Sequence, residues 1–154
     1  MIRLSGRQMA MLVMRISKLA NIYYLDANIC IFYMRGKDRE PRAKIDSIDT
    51  SCIKIPAVVK GELLVGAEKS KRQEETFAET FAFCRPYEIV PFDDSVLMTY
   101  AKIRASLERK GQKIGYNDTL IAATVMAKNG ILVTNNTEEF SRIDGLHLDD
   151  WTQE

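Results

Sequence analysis

Three acids in this chain stand where their neighbours are apolar. Asp26 interrupts the run "YYLDANICIFY" at residues 23–33, among Tyr24, Leu25, Ile29, Ile31 and Phe32. Helical spacing in "IPAVVKGELLVGAEKS" puts Glu62 in line with Val58 and Val59 one turn before it and Val65 one turn after. In "IGYNDTLIAATVMA", Asp118 lines up with Ile121, Ala122 and Val125. An ionised carboxylate on an apolar face is costly unless it is paired or bound to a metal. Gathered together, such acids repel one another and hold their protons until a cation neutralises them. Two Asp and one Glu, with no His or Cys, offer hard oxygen ligands suited to Mg²⁺, with Mn²⁺ as a substitute, rather than to zinc. A cation held that way polarises a phosphoryl oxygen, acidifies a bound water and steadies the leaving oxygen. Phosphodiester hydrolysis is the reaction that best uses this equipment.

Each acid also has an ordinary local role open to it. Asp26 suits a helix cap at a strand-to-helix turn, with Asn28 satisfying loop backbone. Glu62 suits a locally paired glutamate at the edge of an apolar stripe, and Asp118 suits a first-turn anion behind an Asn117 N-cap, favoured by the helix dipole. All three ordinary roles would have to hold together, in acids aimed at one edge of the fold, so a shared site is the stronger reading.

The totals narrow the chemistry further. At 154 residues the chain is long enough for one domain that buries about two thirds of its unfolded surface. Cys30, Cys52 and Cys84 are odd in number and lack CxxC or Cys/His ligand spacing, so they read as small core residues of a reducing cytoplasm. His147 is the one histidine, which weighs against a histidine-based triad. Net charge is +1, yet Arg3, Arg7, Arg15 and Lys18 all fall within the first 25 residues, which hold no acid; the remainder is mildly acidic. A nucleic-acid partner therefore needs local basic patches rather than a global field. Candidates are Arg35, Lys37, Arg39, Arg42 and Lys44; then Lys69, Lys71 and Arg72; then Arg104, Arg109, Lys110 and Lys113, although such runs also serve as plain solvated faces. Residues 1–21 read as a basic appendage, either an amphipathic helix or translation from an upstream start with Met14 as an internal alternative. Their apolar run, Met9 to Met14, is too short to span a membrane, and no membrane partner is expected.

Short β-rich runs alternate with longer helical patterns. Strands are expected at Ile22 to Leu25, Cys52 to Ile55, Glu88 to Val90 and Ile131 to Thr134, with a weaker one near His147 to Leu148. Helices are expected over 27–35, 40–48, 57–69, 73–84, 93–110 and 117–128, punctuated by Pro56, Pro86, Pro91, Gly111, Gly115 and Gly130. Such alternation implies an α/β fold whose mostly parallel central sheet of about five strands carries helices on both faces. Polar ligands in these folds gather at the carboxyl ends of the strands, and Asp26 directly follows the first strand.

A fourth corner is expected from "LVTNNTEEFSRIDGL". Thr134 closes a strand, and Asn135, Asn136 and Glu139 follow at the same rim. Asn136 suits a hydrogen bond to a metal-bound water or weak ligation through its carbonyl, and it also suits an ordinary turn capping a helical piece at Thr137 to Phe140. Glu139 supplies a further carboxylate if that turn folds back. Asn28 is either a turn residue or a partner that orients Asp26.

These segments, "YLDANICIFYMRG", "GELLVGAEKS", "IRASLERKGQKIGYNDTLIAA" and "LVTNNTEEFSRIDGLHLDDW", resemble in this order the PIN-domain family and, within it, the VapC ribonuclease toxins of toxin-antitoxin pairs. The resemblance covers about residues 22–151 and implies a PIN domain over 22–154. It implies Mg²⁺-dependent RNA hydrolysis, with Asp26 and Asp118 as principal metal ligands and Glu62 as the second acidic position. Asn136 falls where many members carry a fourth aspartate, and Glu139 matches the acid before Phe that others use. Pro56 and Val59 replace the Ser and Thr common in the family, which removes two hydroxyls near the site. The third and fourth segments look like members that cut tRNA in the anticodon stem-loop. The resemblance further implies a homodimer, and a VapB-type antitoxin that blocks the acidic site, often with an arginine, in a higher assembly. Phe77, Phe81 and Phe83 are candidates for the dimer surface or for plain core packing.

Two functional classes stand against each other. The first is a metal-dependent endoribonuclease acting through activated water with no covalent intermediate. The second is a non-catalytic PIN-like module that binds RNA or protein through a degenerate site, for which Asn136 and the two missing hydroxyls speak. A phosphoacceptor domain of the receiver type fits worst, because no later strand ends in the aspartate and lysine it needs.

Overall fold

The computed structural model describes residues 2–19, 21–36 and 39–153, and the side chains of 2–13, 21–36 and 41–153. Lys37 and the side chains of Arg15, Lys18 and Arg39, singled out above, lie outside the described ones. Five short strands form one sheet: β1 (Tyr23–Leu25), β2 (Ile53–Pro56), β3 (Glu88–Val90), β4 (Ile131–Val133) and β5 (His147–Asp149). All pair in parallel, in the order β3-β2-β1-β4-β5, with Tyr23 opposite Ile53, Leu25 opposite Val133, Ile55 opposite Ile89 and Leu132 opposite Leu148.

Parallel pairing requires a crossover after every strand, and helices supply it. They are α1 (Gly6–Leu19), α2 (Ala27–Arg35), α3 (Arg39–Ser47), α4 (Ala57–Glu68), α5 (Gln73–Cys84), α6 (Leu97–Arg109), α7 (Tyr116–Ala127) and the single turn α8 (Thr137–Phe140). Right-handed crossovers place α2 to α5 on one face and α6 with α7 on the other. The packed pairs agree, since α4 lies on α5 and α6 on α7. Buried Tyr24, Leu25, Ile55, Val59, Ile121 and Leu132 join the two layers through the sheet.

From β1 the chain moves outward through β2 to β3, then returns to the opposite side of β1 as β4. This reversal opens a crevice beyond the carboxyl ends of β1 and β4, the place where α/β sheets bind ligands. Helices α2, α4 and α7 all direct their amino ends to this edge, because each runs antiparallel to the strand it joins.

Several local expectations need correction. The helix expected over 93–110 is split, because the Asp93 carboxylate accepts from Ser95 N at 3.0 Å and caps a short 3-10 turn, Asp94–Val96, ahead of α6. Asn117 is not the N-cap of α7; Gly115 is, and Asn117 is the second helical residue. Val65 is 53% exposed rather than part of an inward stripe with Glu62. Of the three phenylalanines, Phe83 is core, Phe77 is half-buried against Phe81, and Phe81 is exposed. Cys30 and Cys84 are buried and Cys52 half-buried, all as free thiols.

Two residues past α7, Asn129 adopts a left-handed φ of 54°, and Gly130 N then bonds Val125 O at 3.0 Å. The chain turns into β4 against the Tyr24 ring so closely that a Cβ on Gly130 would overlap the ring carbons. Gly130→Ala is therefore expected to destabilise the fold by about 1–3 kcal/mol, as overpacked cores do. Thermal unfolding checks this, and an unchanged midpoint would show that the ring has room to shift.

Candidate active site

Asp26 occupies the crevice at the carboxyl end of β1 and is 6% exposed. Its backbone N–H donates to Val133 O at 2.9 Å, continuing the β1–β4 ladder by one residue past the strand. The Oδ1 atom accepts from Ala27 N at 2.8 Å and Oδ2 accepts from the Thr134 hydroxyl at 2.7 Å. Asp26 is thus a helix cap and a rim carboxylate at once. The cap clamps one oxygen to the backbone of α2, and the buried hydroxyl clamps the other.

Thr134 is fully buried. Besides donating to Asp26, its Oγ1 accepts from Asn136 N at 3.0 Å, so one hydroxyl fixes both the acid and the turn that follows β4. That turn carries Asn136 and Glu139, which hydrogen-bond each other: Asn136 Nδ2 donates to Glu139 Oε2 at 3.0 Å. The second Glu139 oxygen accepts from Gly115 N, at the start of α7, at 3.1 Å. Asn136 and Glu139 are therefore one unit that folds back over the amino end of α7.

Glu62, half-buried on α4, accepts from Asn117 Nδ2 at 3.1 Å. Asn117 is a site residue that sequence reasoning assigned to capping, since nothing in "GYNDT" separates a cap from a side chain reaching 55 positions back. Asn28 bonds Asn135, Nδ2 to Oδ1 at 3.4 Å, and both are exposed. Asn28 is thus tied to the turn after β4, while the Asp26 carboxylate is held by Ala27 and Thr134. Val59 is fully buried, so packing replaces the hydroxyl that the family often carries there.

The electrostatics tie the acids together. Burial pushes Asp118 up to about 6, and the charges of Asp26, Glu139 and Glu62 push in the same direction. Burial likewise raises Asp26, against hydrogen bonds from Thr134 and Ala27 that lower it and a Glu139 charge that raises it again. Glu62 is raised by burial, with the Asn117 bond opposing and Asp26 adding. Glu139 goes the other way: the Asn136 and Gly115 donors hold it below the usual carboxylate range. Among the described residues no ion pair includes any of these four acids.

An all-oxygen donor set whose members repel one another, with no cationic side chain paired to it, fits a hard divalent cation. As placed, no three Asp, Glu, His or Cys side chains among the described residues converge tightly enough to hold a metal. The acids share one field without forming a closed ligand set.

A folded-state value above the unfolded one means that the folded protein holds more protons between about pH 4 and 6. Stability of the metal-free protein therefore falls as pH rises through that window. Asp118→Asn removes the repelled charge, and among the described residues its side chain has no hydrogen bond to lose. The variant is expected to melt about 2–4 °C above wild type at neutral pH without metal, the difference closing toward pH 4. A lower melting point at neutral pH would contradict the shared field.

The PIN domain family model matches residues 23–146. Ribonuclease VapC2 of Rickettsia felis is 37% identical over 134 residues, covering 84% of this chain and 98% of that protein. The tRNA(fMet)-specific endonuclease VapC of Salmonella typhimurium is 35% identical over 129 residues, covering 84% of this chain and 97% of its own length. The crystal structure of VapBC2 from Rickettsia felis, bound to a DNA fragment from its promoter, superposes with a TM-score of 0.79 at 36% identity, covering 84% of this chain and 98% of that one. A parallel sheet in this strand order, acids at its switch point and likeness over most of each relative's length together show that the chain belongs to the PIN-domain family, in its VapC ribonuclease branch.

Proposed function

We propose that the chain is a Mg²⁺-dependent endoribonuclease toxin that hydrolyses RNA phosphodiester bonds, with tRNA as the favoured substrate and a VapB-type antitoxin as its inhibitor. The observation that carries the reading is the coupling of Asp118 to Asp26, Glu62 and Glu139 at the sheet's switch point. Support for tRNA comes from relatives named for that activity. Residues 22–154 are the working domain in this reading, and residues 1–21 an appendage.

Asp26, Asp118 and Glu62 would hold the cation, with Glu139 and Asn136 at its edge. A bound Mg²⁺ supplies Lewis-acid polarisation of the phosphodiester and acidifies the attacking water. The chain's own residues do the positioning. Thr134 fixes the orientation of Asp26, Asn117 that of Glu62, and the Asn136 amide and Gly115 N–H that of Glu139. Glu139, held below the usual carboxylate range by its Asn136 and Gly115 donors, stays ionised and would accept a hydrogen bond from the attacking water. No nucleophilic side chain is needed, so the reaction proceeds without a covalent intermediate.

A groove of about 330 Å³ opens beside Glu62, lined by Ile31, Met34, Arg35, Leu63 and Thr80. It suits an antitoxin segment that lays apolar side chains along α2 and α4 and presents an arginine to the acids, where a guanidinium fork competes with the cation. Solved relatives are toxin-antitoxin complexes, which supports such a partner and a higher assembly. The exposed Phe81 on α5, with Lys60 over its ring at 5.6 Å, is a candidate for the homodimer surface. Free thiols at Cys30, Cys52 and Cys84 suit a cytoplasmic setting, and among the described residues no helix is long and apolar enough to cross a membrane.

The second reading, a binding module without catalysis, draws on the absence of a closed three-ligand set among the described residues. Metal titration with a tRNA pool separates the two. Wild type is expected to cut in Mg²⁺, to stop in chelator and to recover with Mg²⁺ or Mn²⁺. Asp118→Asn is expected to lose on the order of 10²-fold or more of the cleavage rate while keeping its fold. RNA bound but uncut at every metal concentration would favour the module, and undiminished cutting by Asp118→Asn would sink the mechanism.

A further inference from the structure

The loop between α6 and α7 carries a feature that the hydrolytic site does not use. Tyr116, the first residue of α7, is 72% exposed. One face of its ring is covered by the Arg104 guanidinium, 5.0 Å from the ring centroid. Arg104 is itself held: its side chain is only 24% exposed, and Nη2 pairs with Glu108 Oε1 at 3.3 Å. An open groove of about 480 Å³ runs beside the pair, lined by Arg104, Glu108, Gln112, Lys113, Ile114 and Tyr116.

The loop is pinned at several points. Gln112 N bonds Leu107 O at 3.0 Å, Arg142 Nη1 bonds Lys113 O at 2.8 Å, Ile114 is buried, and Gly115 N bonds Glu139. A single exposed aromatic is ordinary on a protein surface. A ring braced from behind by a half-buried guanidinium, on a fixed loop joined to an acid of the site, is a preformed platform.

We propose that Tyr116, backed by Arg104, stacks an unpaired base of the RNA substrate, with Lys113 and Gln112 holding the adjoining phosphate and base edge; this rests on the ribonuclease reading above. Arg104 occupies one ring face and leaves the other for a planar ligand, and every base offers a π-face. Tyr116 and Asp118 are two residues apart on α7, hence about 200° apart around its axis. The ring therefore serves a nucleotide flanking the bond that is cut, not the one at the metal. Stacking needs a base already out of a helix, so the platform selects loops over duplexes.

The test uses the Asp118→Asn protein, which binds without cutting, and a single-stranded oligoribonucleotide carrying 2-aminopurine. Binding is expected to quench the fluorophore at one position. Adding Tyr116→Ala is expected to abolish that quench and weaken binding about 5- to 150-fold, the range for losing one base–aromatic stack. Tyr116→Phe is expected to keep both, and duplex RNA to be indifferent to either change. Equal affinity and quench in the Tyr116→Ala protein, or an equal loss on duplex RNA, would overturn the proposal. Wild-type cleavage of the same oligonucleotide is read separately: a bound, quenched but uncut RNA supports the platform and counts against the ribonuclease reading.

Discussion

One buried hydroxyl organises this rim. Thr134 donates to Asp26 and accepts from Asn136 N, and it stands on the first residue past β4 while Asp26 stands on the first past β1. The two strands are neighbours only because the chain reverses direction across the sheet, so the fold's topology and the orientation of its most buried acid are set at one place. From Thr134 the constraint passes through Asn136 to Glu139, and from Glu139 to the amino end of α7. Asp118 rides on that helix end, so its position relative to Asp26 is held by the same chain of bonds.

This arrangement works against stability in the metal-free protein. Burying several carboxylates without paired cations is costly, and the chain mitigates the cost with donors rather than with opposite charge: Ala27 and Thr134 for Asp26, Asn117 for Glu62, Asn136 and Gly115 for Glu139. Among the described residues Asp118 has no such donor, and burial together with its acidic neighbours pushes it up to about 6. Neutral donors hold the acids in place while leaving their charge available to a ligand, which an intramolecular arginine would cancel. The same charge makes the site open to capture by a partner's guanidinium.

Much of the architecture is legible in the sequence because four of the five strands are compact, mainly apolar runs between turn residues, β5 with its "HLD" being the weak one. "YYL", "IKIP", "EIV" and "ILV" sit between longer periodic segments, and the order of those segments already implies a parallel sheet. Asp26, Glu62 and Asp118 are legible as acids out of place among apolar neighbours. What stays hidden is pairing across the fold. Asn117 looks like a cap because its local pattern fits one, yet its amide crosses to α4. Asn136 and Glu139 look like rivals for one position, yet the short α8 turn sets them three residues apart on one face, where they bond each other. Arg104 is legible only as one of a basic run and Tyr116 not at all, since a cation and an aromatic twelve residues apart meet only once α6 and α7 pack.

The central claim is that the rim acids share one electrostatic field that a divalent cation relieves. Carboxyl ¹³C titration of Asp118 by NMR tests it most directly. The shared field requires Asp118 to titrate near 6 in the metal-free protein, to shift downward when Asp26 is replaced by Asn, and to shift further down when Mg²⁺ is added to the wild type. An Asp118 that titrates in the ordinary carboxylate range and ignores both changes would contradict it.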